Sequence, residues 1–115
     1  MGTPTMRRYI KVYPVESLTG SIRHQLTSAE RGVWYDLLCF ASVCNMDGQI
    51  SDRDGKKIPK SYIANRLNIT SRLLEETLEK CKDEGRITEK DGILFITNWK
   101  KYQSEYERQK RSRTP

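Results

Sequence analysis

The chain has 115 residues, room for one domain and not for two. Its 21 Lys and Arg against 15 Asp and Glu give +6, and with 31% charged and 36% hydrophobic residues this is the balance of a soluble, mildly basic globular domain, not of a disordered chain. The longest uninterrupted apolar run, Leu37 to Ala41, falls far short of the ~20 residues of a spanning helix, and Met6-Arg7-Arg8 leads into no apolar signal core, so no membrane partner and a cytoplasmic location are expected.

In chain order, residues 1–6 carry no pattern and are expected to be a flexible start. Tyr9-Ile10-Lys11-Val12-Tyr13 is β-prone and is closed by Pro14. Val15 to Leu26, with Leu18, Ile22 and Leu26 at i, i+4, i+8, predicts one short helix weakened by Gly20. Thr27-Ser28-Ala29-Glu30 is a capping box that starts the central core helix. The apolar stripe of that helix is Ala29, Val33, Trp34, Leu37, Leu38, Phe40, Ala41 and Cys44, with Arg31, Tyr35 and Ser42 falling opposite. Asn45 to Gly48 ends it. Gln49-Ile50-Ser51 predicts a minimal strand, and 52–57 a charged surface loop turning at Asp54-Gly55.

Pro59 suits the opening of a helix over Lys60 to Leu67, with Ile63, Ala64 and Leu67 on one side. After Asn68-Ile69, either Thr70 or Ser71 caps a further helix to about Glu84, which buries Leu74, Leu78 and Cys81 and stops at Gly85. Arg86 to Glu89 and Ile93 to Thr97 flank Lys90-Asp91-Gly92, a strong hairpin signal. Trp99, Tyr102 and Tyr106, at i, i+3, i+7, predict a last amphipathic helix running into Arg108-Gln109-Lys110-Arg111-Ser112-Arg113.

This order predicts a mainly α fold with a small antiparallel β-hairpin, a winged helix-turn-helix with extra N- and C-terminal helices. The expected layout is a flexible 1–6, a winged domain over 7–98 and a basic amphipathic tail over 99–115. Ile63-Ala64, Leu67-Asn68-Ile69, Thr70-Ser71, Leu74, Leu78 and Gly85-Arg86-Ile87 resemble the winged-helix pattern, which specifies a fold better than a job. Cys39, Cys44 and Cys81 form no CxxC pair and are read as reduced thiols, Cys39 off the core stripe. His24 stands alone. No metal site and no cofactor are therefore expected, and nothing points to an enzyme.

Arg8-Tyr9-Ile10-Lys11-Val12, the Glu30-Arg31-Gly32-Val33-Trp34 to Leu37-Leu38 stretch and the closing Asn98-Trp99-Lys100-Lys101-Tyr102-Gln103 resemble the N-terminal domain of phage replisome organisers, also called DnaD-like phage replication proteins. The likeness runs from about Arg8 to Gln109. It implies a primosomal relative that binds origin DNA, self-associates and recruits the replicative helicase, usually through a further C-terminal region. This chain would then be the DNA-facing or oligomerising module, cut from a longer protein or a stand-alone prophage relic.

Winged helices commonly place the second helix of the turn in the major groove. Here residues 71–84 hold Arg72, Lys80 and Lys82 against Glu75, Glu76, Glu79, Asp83 and Glu84, a net −2, so only the first turn suits phosphate and the acidic face suits a protein. Duplex DNA is the expected partner, held mostly through phosphates. Lys56, Lys57, Lys60, Ser61, Arg66, Ser71 and Arg72 are the expected contacts, with Lys90 on the wing and Lys100 and Lys101 beyond it. Trp99, Tyr102 and Tyr106 are the expected partner or oligomer interface, with core or subunit packing favoured for the tyrosines over base stacking. The alternatives are single-stranded DNA, an interaction module joining subunits or docking a helicase or helicase loader, and a transcriptional repressor.

Overall fold

The computed structural model describes residues 9–101 and Gln103. Expectations that fall elsewhere, among them the flexible start, Tyr102, Tyr106 and the basic stretch from Arg108, lie outside the described residues.

Pro14, with a fixed φ that suits the first helical position, opens α1 (Pro14–Thr19), and α2 (Ser21–Gln25) follows after a break. The single helix expected over Val15 to Leu26 is therefore two. At Gly20 the backbone is extended, and a Cβ there would stand 2.6 Å from the Glu16 carbonyl oxygen, so the chain bends where glycine alone fits. The expected apolar stripe breaks with it: Leu18 is 64% exposed, Ile22 is partly buried, and only Leu26 enters the core. The β-prone Tyr9 to Tyr13 forms no strand and pairs with no sheet edge.

At Thr27 the hydroxyl accepts from the Glu30 N–H at 3.2 Å while the Glu30 carboxylate accepts from the Thr27 N–H at 2.8 Å. This reciprocal box starts α3 (Ser28–Cys44), which ends at Asn45 in the left-handed region. Val33, Trp34, Leu37, Leu38 and Ala41 are buried as expected. The stripe is rotated at its margins, however. Ala29 is exposed, Phe40 and Cys44 are only partly buried, Ser42 is buried, and Tyr35 packs on the core. The shift follows from cover on the Tyr35 side, where its hydroxyl donates to Ser17 Oγ of α1 at 2.8 Å.

A two-residue strand, β1 (Gln49–Ile50), leads to a loop tied by Asp52, with Oδ1 accepting from the N–H groups of Asp54 and Lys56 at 2.8 and 2.9 Å. Next comes α4 (Lys60–Leu67), stopped by Asn68 in the left-handed region while the Ile69 N–H donates back to the Ala64 carbonyl at 3.0 Å. Of the two candidate caps it is Thr70 that starts α5 (Ser71–Asp83), with Oγ1 accepting from the Leu73 N–H at 3.1 Å. The helix ends in a Schellman motif, Arg86 N–H to Cys81 O at 2.8 Å and Gly85 N–H to Lys82 O at 3.0 Å.

The released chain forms β2 (Ile87–Lys90) and β3 (Ile93–Ile96) across Asp91 and Gly92, both at positive φ, the type I′ geometry that matches strand twist. The expected two-stranded hairpin is the greater part of a three-stranded antiparallel sheet in the order β1-β3-β2. One core joins α3, α4, α5 and the sheet, with Leu37, Ile63, Leu74, Leu78, Ile87 and Leu94 all at or below 2% exposure. Trp99, expected to face a partner, instead closes this core at 7% exposure. It lies so close to Gly48 that a Cβ there would stand 2.4 Å from the Trp99 Cβ.

Candidate nucleic-acid interface

Three elements converge at the tip of the hairpin. The loop before α4 brings Lys56 and Lys57, both exposed, and the Lys57 side chain lies against the wing turn, where a Cβ on Gly92 would meet its Cδ at 2.7 Å. Lys60 is the first residue of α4, and Lys90 ends β2, exposed. Among the described residues Lys56, Lys57 and Lys90 make no salt bridge.

Lys60 is different. On β2 the alternation of faces puts Glu89 on the same side as buried Ile87, toward the helices. There its carboxylate accepts from Lys60 Nζ at 3.2 and 3.3 Å and also from Lys82 Nζ at the end of α5. The bond from Lys82 holds the Glu89 carboxyl below the ordinary carboxylate range; partial burial opposes this and Lys60 reinforces it. The cluster joins the starts and ends of three elements. Neither Lys82 nor Glu89 is among the residues expected from the sequence, although the period-2 face shared with Ile87 is the signal that finds Glu89.

The remaining expected contacts stand apart from this tip. Arg66, Ser71 and Arg72 are exposed around the α4–α5 turn, and ten positions along α5 separate Arg72 from Lys82, about 15 Å of helix axis. Ser61 is exposed on the first turn of α4. The Arg72 side chain is 87% exposed and its Nε donates to Glu76 Oε2 at 3.3 Å. Lys100 and Lys101 follow the base of the hairpin, Lys100 standing 3.9 Å from Asp47 Oδ2. The expected cationic contacts thus fall into three groups, at the wing tip, at the helical turn and at the hairpin base.

The outward face of α5 is more acidic than its composition implies. Lys80 is turned inward to Glu30, 2.8 Å from Oε1, and Lys82 to Glu89, which leaves Glu75, Glu76, Glu79 and Asp83 exposed with Arg72 alone beside them. Burial pushes the Glu30 carboxyl up, but the bonds from Lys80 and the Thr27 N–H outweigh it, and its pKa lies below the ordinary value. Such a face repels phosphate over most of its length.

At the base of the hairpin lies a groove of about 430 Å³, its walls including Tyr13, Trp34, Tyr35 and Arg86. The Arg86 guanidinium stands 5.9 Å from the centroid of the Trp34 ring and donates to Glu84 at 2.6 Å and to Ser21, so its charge is already met. Among the described residues no group of His, Cys, Asp and Glu is placed to hold a metal ion. Burial, aided by the nearby Glu84 charge, pushes the Cys81 thiol up to about 12, so it stays protonated.

A helical core carrying a helix–turn–helix of α4 and α5, followed directly by an antiparallel hairpin, defines a mainly α, winged-helix-like protein. The family described as the N-terminal phage replisome organiser matches residues 27–114, and the chain belongs to it. The match begins at Thr27, the cap of α3, so α1 and α2 lie outside it. No curated protein and no solved structure matches. Membership gives the chain a role in phage replication, with DNA or replication proteins as its class of partner. No helix among the described residues is long and apolar enough to cross a membrane.

Proposed function

We propose that the chain is a binding module, without enzymatic chemistry of its own, that attaches a phage replication-initiation assembly to duplex DNA, in the cytoplasm, mostly through backbone phosphates. The single observation carrying this is the wing tip, where Lys56, Lys57 and Lys90 project without ion-pair partners among the described residues, beside a helix–turn–helix whose second helix opens on Ser71 and Arg72. Free N–H groups and the positive end of the dipole at that first turn favour an anion, and Arg72 reaches out beside them. The acidic remainder of α5 keeps the helix from lying deep in a groove, so contacts are peripheral and carry little sequence information. Fluorescence anisotropy on unrelated duplexes from 50 to 300 mM salt tests this. About three phosphate contacts give a slope of log affinity against log salt near −3, similar for each duplex. Absence of binding at 50 mM salt overturns it.

The exposed Glu75, Glu76, Glu79 and Asp83 support a second reading, in which α5 docks a basic replication protein such as a helicase or its loader. Reversing Glu76 and Glu79 to Lys then abolishes capture of that partner and leaves DNA affinity equal or higher.

A further inference from the structure

Glu89 stands between two lysines from different helices. Its two oxygens accept three ammonium bonds, two from Lys60 and one from Lys82, the arrangement a phosphate makes between lysines. The cluster is not sealed inside the fold: the side chains of Lys60, Lys82 and Glu89 are 38%, 29% and 22% exposed. It adjoins the tip, for Lys90 is the next residue and Lys57 lies on the wing turn two residues further on. The two lysines are not equivalent, since Lys60 begins α4 and is the more exposed, whereas Lys82 lies in the last turn of α5.

We propose that Glu89 is an internal phosphate mimic that holds Lys60 in reserve: a duplex phosphate displaces the carboxylate from Lys60, and Glu89 stays with Lys82. This rests on the DNA binding proposed above. Free protein thereby engages DNA through Lys56, Lys57 and Lys90, and Lys60 joins only when a phosphate of the right position arrives. Glu89 is a positioning residue in this scheme, acting on DNA through Lys60.

The test is a double-mutant cycle of duplex affinity across a salt series, with E89Q, K60Q and E89Q/K60Q, each checked by thermal melting. E89Q is expected to bind several-fold tighter than the parent at 100 mM salt with an unchanged salt slope, because Lys60 meets a phosphate in both complexes, whereas K60Q loses that contact and its slope is shallower by ~0.9. In the K60Q background the same change is expected to give no gain. A gain that persists without Lys60 overturns the proposal, because loss of a negative charge then explains it; so does unchanged or weaker binding by a folded E89Q. Should E89Q melt early, acylation of lysines in the parent protein decides instead. Duplex DNA is expected to protect Lys60 together with Lys57 and Lys90, and to leave Lys82 reactive. Protection of Lys57 and Lys90 alone overturns the inference while sparing DNA binding. If the parent neither binds nor shows any protection at 50 mM salt, DNA binding itself fails and takes the inference with it.

Discussion

The backbone N–H of Lys11 donates to Gln103 Oε1 at 3.0 Å, joining positions 92 residues apart. Gln103 is 4% exposed, and its carbonyl also accepts from Lys11 Nζ, so the segment before α1 is held against the helical turn that begins at Trp99. This clasp gives the opening and closing stretches of the sequence a shared physical reason: each supplies half of one contact. Replacing Gln103 by Leu keeps the volume and leaves the Lys11 N–H without its acceptor, at a cost of about 1–3 kcal/mol. Urea unfolding measures the loss, and limited proteolysis locates it, with faster cutting expected between Tyr9 and Tyr13.

Leu74 and Leu18 separate core from surface. Leu74 is fully buried between α3, α4 and the sheet, whereas Leu18 is 64% exposed on a helix that buries none of its residues. Leu74→Ala is expected to cost about 2–5 kcal/mol in a denaturant titration, and Leu18→Ala no more than about 0.5 kcal/mol. Equal losses at the two positions contradict the break at Gly20.

Acid destabilises this fold through Glu30 and Glu89. Both carboxyls have folded pKa values below the ordinary 4.5, so each contributes stability that is complete above that pH and is lost as pH falls through the folded value. The melting temperature should be flat from about pH 7 to pH 6 and drop below about pH 4.5. Glu30→Gln keeps an acceptor for the Thr27 N–H but loses the charge facing Lys80. It is expected to melt lower than the parent at pH 7 and to converge with it in acid. A constant offset at every pH assigns the effect to packing instead.

The elements that sequence chemistry revealed are those with local causes. Thr27-Ser28-Ala29-Glu30 closes its box within four residues, Asp91-Gly92 dictates its own turn, and Gly85 stops α5 by a bond to Lys82 in the same helix. The pairings that shape the site are not local. Lys80 finds Glu30 across 50 positions and Lys60 finds Glu89 across 29, and a tally of charges along each helix treats those lysines as solvated. Trp99 was legible as an amphipathic position but not as a core residue, because its pocket is opened by Gly48 on a different element. Leu18 misled for the opposite reason: helical spacing implies a covered face only where something covers it.

Charge substitutions at the wing and at the helical turn should report different parts of one interface. Lys56, Lys57 and Lys90 project from the loop and the hairpin tip, while Arg72 stands about 15 Å along α5 from Lys82, the end of the helix tied to Glu89, and shares its charge with Glu76 at 3.3 Å. Converting the three lysines to Glu removes the main phosphate contacts and adds repulsion, so duplex affinity at 100 mM salt is expected to fall below detection with melting temperature nearly unchanged. Arg72→Ala leaves Glu76 unpaired and is expected to weaken binding only several-fold, equally for two unrelated duplexes, because a phosphate contact carries no sequence information. A loss confined to one of the duplexes would instead show Arg72 reading a base edge, where a single good pair discriminates by about 1–3 kcal/mol.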